Sequence, residues 1–273
     1  MRKLLKGYVN DLWQIYLVEF FTSFYFAKAI VILFFLQKGL SLAQIGFTST
    51  VIYGMNLLFE YPSGIFADRY GRKTSIQIAN LCGIMAALIY ALGPGFHSVV
   101  IASALWGMAW AFYSGSKEAI TYDSLLKVKK QKLNKDVIGF MDSLGFLGMI
   151  IATYFGHLLY QLDPKYPFLA SAIVYSFAFI ILTTYKEPSQ YKSAKTMDIK
   201  KTFRDGIVLI FKNNTLFYVF ILGIVLFFFE HAWYETNQPL LLEVGLPNSM
   251  LSTYFVIGSL LGMFGGMILP RII

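Results

Sequence analysis

Charged side chains are scarce in this sequence. Only 14% of its residues are Asp, Glu, Lys or Arg, whereas 57% are hydrophobic and 18% are aromatic. A soluble domain carries about 25% charged residues and could not bury this much apolar surface within 273 residues. The scarcity excludes an ordinary soluble fold and predicts that a lipid bilayer surrounds most of the chain.

Cysteine and histidine are rare as well. The one cysteine, Cys82, cannot form a disulfide within the chain, and the three histidines are far apart in the sequence. The sequence also lacks a glycine-rich phosphate loop ending in Lys-Ser or Lys-Thr, and it lacks the Gly-x-Ser-x-Gly motif of a serine nucleophile. We therefore predict that the protein is not an enzyme and that it holds no cofactor and no metal.

Long apolar runs, in contrast, are abundant. Eight are long enough to cross a bilayer, and turn residues such as Gly93-Pro94-Gly95 separate them. The first run is too long for the core of a cleavable signal peptide, so it is predicted to be a span. The predicted spans are Leu12–Leu36, Leu42–Phe66, Thr74–Leu92, Ser98–Ser124, Val137–Tyr160, Pro167–Tyr185, Leu216–Tyr234 and Ser249–Leu269.

Basic residues are concentrated on one side of the predicted membrane. The N-terminal segment and the segments after even-numbered spans hold nearly all of them, whereas the opposite loops hold only Lys38 and Lys165. Because cytoplasmic loops are enriched in Lys and Arg, we predict a cytoplasmic N-terminus and a bacterial cytoplasmic membrane. The formal net charge of +8 then indicates contact with acidic lipid headgroups and not with nucleic acid.

One segment, Lys186–Asn214, is longer, more polar and more basic than the other loops. Ile199, Phe203 and Ile207 fall at helical spacing after the N-cap candidate Thr196. This pattern predicts an amphipathic helix on the membrane surface, and a disordered linker is the alternative. The predicted segments are a six-span bundle at residues 1–185, a basic linker at 186–214 and the first two spans of a second bundle at 215–273.

A weak internal repeat supports this division. A shift of 206 residues places Leu36, Gly39 and Leu40 on Leu242, Gly245 and Leu246, and it brings two span–loop–span units into register. Three identities alone are at the level of chance, so their value lies in the agreement with the linker. The repeat predicts two halves of the same orientation.

The loop between the second and third predicted spans is short and dense in charge. It reads Gly64-Ile-Phe-Ala-Asp68-Arg69-Tyr-Gly71-Arg72-Lys73. Its glycines permit a tight turn, Asp68 can cap a helix, and Arg72 can reach a carboxylate on a neighbouring helix. Charged contacts of this kind at the membrane edge can form and break.

In these residues the sequence resembles the major facilitator superfamily of secondary transporters. The family signature is Gly-x-x-x-Asp-Arg/Lys-x-Gly-Arg/Lys-Arg/Lys between spans two and three, and every position matches here. The resemblance implies an all-α polytopic membrane protein with a six-helix N-terminal bundle plus the first two helices of the second bundle. It also implies a pairing of Arg72 with Asp123. The residues expected to form this conformational gate are Gly64, Asp68, Arg69, Gly71, Arg72, Lys73, Asp123 and Glu60.

The sequence departs from the family in two respects. Span four lacks the arginine, and span five lacks the Gly-Pro pair, that proton-coupled drug antiporters often carry, which weakens an antiporter assignment. The family has twelve spans whereas eight are predicted here, so the resemblance implies a truncated or partial member.

Ionisable residues inside the spans are candidates for solute or proton binding, because each costs about 2.5–3.5 kcal/mol to insert. Lys28 lies deepest in span one and could bind an anionic group, with Tyr25 one turn away; a structural ion pair with another span is the alternative. Glu19 lies on the opposite face of span one and is not expected to pair with Lys28. Lys117 is expected to act in gating or to extend its ammonium group to the membrane interface.

Span seven ends in a polar cluster, in which His231 and Glu235 are four residues apart and could share a proton. A cluster at the membrane interface without a proton role is the alternative. The candidates for solute or proton binding are therefore Lys28, Tyr25, Glu230, His231, Tyr234 and Glu235.

The function predicted from these features is secondary active transport of a small solute by alternating access, with proton-coupled efflux as one form. The many aromatic residues slightly favour drug-like or amphiphilic solutes over sugars and other metabolites. The alternative is a truncated, non-transporting remnant or an assembly partner of a transporter. The predicted partners are a small-molecule solute, protons as a second candidate, and the lipid bilayer.

Overall fold

A computed structural model describes the backbone of residues 2–188, 204 and 208–272. Side chains are described in these ranges except at residues 2–11, 230–231, 234–235, 242, 248–249 and 265–272. Thr196, Ile199, Phe203 and Ile207 lie outside the described residues, so the amphipathic surface helix stays a prediction.

The described backbone is almost entirely helical, and a single 3-10 turn, Gln131–Leu133, interrupts the sequence of α-helices. The predicted first span contains two helices, and each later span contains one. The helices are α1 (Arg2–Thr22), α2 (Val31–Gln37), α3 (Leu42–Tyr70), α4 (Arg72–Leu92), α5 (Gly95–Lys127), α6 (Asn134–Leu162), α7 (Tyr166–Thr184), α8 (Asn214–Glu243) and α9 (Asn248–Ile272).

Most of these helices are built to cross a bilayer. Among the described residues, α3, α4, α5, α6 with the turn before it, and α7 are each long and apolar enough to do so. The apolar stretches described in α8 and α9, Asn214–Phe229 and Met250–Phe264, are shorter. The chain is thus an all-α polytopic membrane protein, as the sequence predicts.

Of the five described helices that could cross a membrane, α4 is the most buried. It packs along α5 and α7, while α5 also packs along α3, and α1 packs against α6 and α7. Helix α9 packs along α6, and there a Cβ added to Gly262 would lie only 2.5 Å from the Phe146 ring. The small residue Gly262 in span eight therefore permits the close approach of the two helices.

Two loops have the same local structure at positions 206 residues apart. Gly39 has a φ of +81° and Gly245 a φ of +83°, a left-handed conformation that favours glycine. Leu40 N donates to Phe35 O at 3.1 Å, and Leu246 N donates to Leu241 O at 2.9 Å. The repeat suggested by the sequence thus extends to the backbone hydrogen bonds of the two loops. We call the end of the bundle that carries these loops the glycine-loop end, and the end that carries the α3–α4 turn the motif end.

The predicted first span is not one helix, because the α-helical hydrogen bonding stops between Thr22 and Val31. Thr22 Oγ1 donates to Val18 O at 2.8 Å, and Ser23 Oγ donates to Glu19 O at 2.8 Å. Such bonds compete with the backbone amides for the same carbonyls and destabilise the helix locally. Residues 23–30 form successive turns instead, and Lys28 lies within them.

Glycines of α6 allow the broken segment to lie close to that helix. A Cβ added to Gly148 would lie 2.6 Å from Phe20 O and 3.0 Å from the Phe24 ring. A Cβ added to Gly156 would collide with the backbone carbonyl of Phe26. Contact of backbone against backbone at these points leaves no room for a larger side chain.

We expect Gly148→Ala to lower the free energy of unfolding by about 1–3 kcal/mol, because its methyl group would overlap the Phe20 carbonyl. Gly115→Ala on α5 is the matched control, since a Cβ there meets no atom within 4 Å among the described residues. The measurement is the apparent melting temperature of the detergent-solubilised protein. Equal melting temperatures for the two variants would contradict the close approach.

Candidate functional site

The signature loop is a one-residue turn between two helices. Gly71 ends α3 and begins α4 with a φ of +101°, a conformation that L side chains rarely adopt. The turn directs Arg72 toward α5, where its guanidinium forms an ion pair with Asp123 and donates to Ala119 O at 2.7 Å. This is the pairing that the resemblance implies, and the Asp123 side chain is only 3% exposed.

The structure places at this turn a further acidic residue, Glu187, that the sequence did not indicate. Glu187, three residues beyond the end of α7, accepts hydrogen bonds from Arg72 N at 2.7 Å and from Lys73 N at 3.4 Å. Its carboxylate thereby caps the positive end of α4. Lys73 Nζ in turn donates to Thr183 O and Tyr185 O, both at 2.8 Å. The end of span six is thus bonded to the signature loop. A lone acidic residue beside basic ones was too weak a signal to assign this contact.

Other members of the predicted gate lie on α3, before this turn. Asp68 and Arg69 are exposed, and the Arg69 guanidinium lies 5.4 Å from the centre of the Tyr70 ring. Gly64 has open space around it. Glu60 accepts from Ser114 Oγ at 3.4 Å and is exposed, so the structure places it beside α5, away from the Arg72–Asp123 pair.

Lys28 lies between two cavities at the break in span one. The smaller cavity measures about 70 Å³ and reaches α3 and α5, and the larger measures about 370 Å³ and lies between α6, α8 and α9. Lys28 Nζ contacts Met149 Sδ. Among the described side chains, no carboxylate lies within ion-pair distance of Lys28. Aromatic residues dominate the smaller cavity, namely Tyr25, Phe35, Tyr53, Tyr90, Trp106, Trp110 and Phe255.

Helix α8 supplies two buried amides to the same place. Gln238 Nε2 donates to Ala29 O at 2.6 Å, and Gln238 Oε1 accepts from Ile32 N at 2.9 Å, so this side chain satisfies the backbone at the break. Asn237 lines both cavities and is 4% exposed, yet its Oδ1 has no hydrogen-bond partner among the described residues. Neither amide was predicted as a site residue.

A second group of ionisable residues joins three helices closer to the motif end. Lys117 Nζ of α5 lies 2.9 Å from Glu19 Oε1 of α1 and 2.9 Å from Asp142 Oδ1 of α6. Tyr113 OH donates to Glu19 Oε2 at 2.6 Å. Lys117 was expected to be a gating or interfacial residue, but in the structure its ammonium group lies between two carboxylates. Asp142 lies inside the predicted fifth span, so the cost of placing a carboxylate in the membrane was a signal that could have identified it.

The structure does not describe the side chains of the polar cluster predicted in span seven. Its members Glu230, His231, Tyr234 and Glu235 lie on α8, and only their backbone is among the described residues. Their role in solute or proton binding stays a prediction.

Removing one member of the Arg72–Asp123 pair is expected to cost about 3–5 kcal/mol of stability, because the other would remain buried and unpaired. We expect Arg72→Gln with Asp123→Asn to cost less than the sum of the two single variants. The measurement is a double-mutant cycle on the free energy of unfolding, with exposed Arg69→Gln as the near-neutral control. Strictly additive costs would show that the two side chains are not coupled.

Comparisons with known proteins agree with this architecture. The sequence model of the Major Facilitator Superfamily matches residues 12–273. The chain is 27% identical over 240 residues to the uncharacterized MFS-type transporter YxaM of Bacillus subtilis (strain 168), covering 83% of this chain and 57% of YxaM. It is 26% identical over 172 residues to the class H tetracycline resistance protein of Pasteurella multocida, covering 60% and 41% of the two chains.

Solved structures show the same fold. The nucleoside transporter NupG superposes with a TM-score of 0.71 at 16% identity, covering 95% of this chain and 64% of NupG. A D-xylose-proton symporter superposes with a TM-score of 0.68 at 13% identity, covering 94% and 67%. The chain spans little more than half the length of YxaM. With a family match from residue 12 to residue 273 and a signature loop at its expected place, the chain belongs to the Major Facilitator Superfamily of membrane transporters.

Proposed function

We propose that this chain takes part in secondary active transport of a small solute by alternating access, and that the solute carries an anionic group bound at Lys28. This proposal rests on the two cavities at the break in span one. There an ammonium group without a described acidic partner and an amide oxygen without a described hydrogen-bond partner face the same space.

The chemistry of this space supports an amphiphilic anion. An ammonium group inside a membrane protein requires a counter-charge, and a carboxylate on the solute would supply it. The Tyr25 and Trp106 rings lie 5.0 Å apart between centres and offer apolar surface for the rest of the solute. Asn237 could accept a hydrogen bond from a solute hydroxyl or amide.

Both halves of the fold contribute to this site. Lys28 comes from span one, whereas Asn237 comes from α8, beyond the linker. A site between two halves changes shape when the halves rock against each other, which is the basis of alternating access. The Arg72–Asp123 pair and the Glu187 cap at the motif end are proposed to be contacts of one conformation that break in the other.

For direction and orientation, we propose proton-coupled efflux across a bacterial cytoplasmic membrane with the N-terminus inside. The loop charges support the orientation. The tetracycline resistance protein and the multidrug resistance protein 1 of Bacillus subtilis, which is 23% identical over 167 residues, support movement of drug-like solutes. The proton symporter among the solved structures supports coupling to protons.

Benzoate and benzamide are matched probes for the charge of the solute, because they differ in charge but share an aromatic ring. We expect benzoate to quench the fluorescence of Trp106 and Trp110 saturably and benzamide to bind more weakly. Lys28→Met is expected to weaken benzoate binding about ten-fold to hundred-fold, the value of one charge-assisted hydrogen bond, while Lys28→Arg retains part of it. The measurement is a fluorescence titration of the purified protein.

Lys165→Met is the control, since Lys165 lies in an exposed loop beside Asp163. Equal binding of benzoate by Lys28→Met and by the wild-type protein would contradict the role of Lys28. Counterflow of labelled benzenesulfonate, an aromatic anion without a membrane-permeant neutral form near neutral pH, then tests transport in vesicles. Binding without counterflow would favour the alternative, a non-transporting partner of a transporter.

A further inference from the structure

The cluster of Glu19, Lys117 and Asp142 is a buried group of charges that the solute site does not use. The three residues come from α1, α5 and α6, and one ammonium group links all three helices. Glu19 lies seven residues inside the predicted start of span one, a depth of about 10 Å at 1.5 Å per residue. These charges are therefore within the membrane.

The charges of this cluster do not balance. Two carboxylates face one ammonium group, and Tyr113 contributes only a neutral hydroxyl. Of the other carboxylates on these helices, Glu118 on α5 and Asp136 on α6 are exposed and take no part. With all groups ionised the described cluster has a net charge of −1, which is unfavourable in a membrane and is removed when one carboxylate takes up a proton.

The two carboxylates differ in how fully they are bonded. Glu19 uses both oxygens, one toward Lys117 and one toward Tyr113, and its side chain is 7% exposed. The Asp142 side chain is 42% exposed, and the hydrogen bond described for it is the one from Lys117 to Oδ1. Asp142 is thus the carboxylate that a proton reaches with the smaller loss of existing bonds.

We propose that Asp142 is the proton-binding residue of this transporter and that Lys117 holds it close to span one. When the Asp142 carboxylate takes up a proton it becomes a neutral carboxylic acid, and no other group gains or loses a proton. Lys117 keeps its charge and its bond to Glu19. The charge of the cluster changes from −1 to zero, and the link between α5 and α6 weakens.

A continuous set of contacts connects this cluster to the proposed solute site, so this step rests on the proposed function. Tyr113 OH lies 3.1 Å from Thr22 Oγ1, at the residue where α1 ends. Tyr113 and Thr22 line a cavity of about 150 Å³ together with Trp106 and Trp110, which also line the cavity at Lys28. These residues give a change in charge at Asp142 a short route to the break in span one.

Proton binding can be measured without any solute. We expect infrared difference spectra of the purified protein, taken between an acidic and a neutral buffer, to contain a band of the protonated Asp142 side chain. Asp142→Asn should remove that band, and Asp142→Glu should restore it at a shifted position. Asp136→Asn, an exposed carboxylate on the same helix, should leave the band in place. A band that persists in Asp142→Asn would overturn the assignment.

Vesicle experiments separate this proposal from the proposed function. In the wild-type protein an imposed proton gradient should drive accumulation of benzenesulfonate, and Asp142→Asn should abolish that accumulation while keeping exchange of benzenesulfonate across the membrane. Accumulation that Asp142→Asn retains, or that a sodium gradient drives equally well, would overturn the role of Asp142. Absence of benzenesulfonate exchange in the wild-type protein would count against the solute site, whereas the infrared result on Asp142 would stand.

Discussion

A break in the helix of span one places unpaired backbone groups inside the membrane, and much of the structure serves to satisfy them. Water is not present there to take their hydrogen bonds, so side chains of other helices must do so. Ser171 of α7 accepts from Phe26 N at 3.2 Å, and Gln238 of α8 bonds both Ala29 and Ile32. The same break requires the glycines of α6, because a helix with larger side chains could not approach the irregular backbone.

This constraint also explains why the candidate site lies where it does. An irregular segment displaces side chains from the regular surface of a helix and leaves space beside it, and both cavities that contain Lys28 open at this point. Discontinuous helices are a common way for transporters to place polar groups near the middle of the membrane. In this chain the break divides two polar regions, with Lys28 on the side of the glycine-loop end and the Glu19–Lys117–Asp142 cluster on the side of the motif end.

Much of the fold could be predicted from the sequence, because hydropathy and the placement of basic residues depend on long segments. The signature loop was also identifiable, since its residues are contiguous. The break in span one was not, because residues 12–36 contain neither glycine nor proline, and the bonds of Thr22 and Ser23 to the preceding turn are of a kind that unbroken helices of this chain also contain. The partners of Lys117 and the cap by Glu187 were likewise missed, because each depends on residues far apart in the sequence that only helix packing brings together.

The hydrogen bond between Ile32 and Gln238 joins equivalent positions of the two predicted repeats. These residues are separated by 206 positions, the same interval that relates the two glycine loops, so the predicted repeat gives them equivalent places. Equivalent residues touch only where a symmetry axis passes between them. At that axis one repeat presents the backbone N–H of Ile32, and the other presents the side-chain amide oxygen of Gln238 that accepts its hydrogen bond. In the predicted repeat the two units are therefore complementary at the point where they meet, and an exchange of Ile32 with Gln238 would have to invert both roles together.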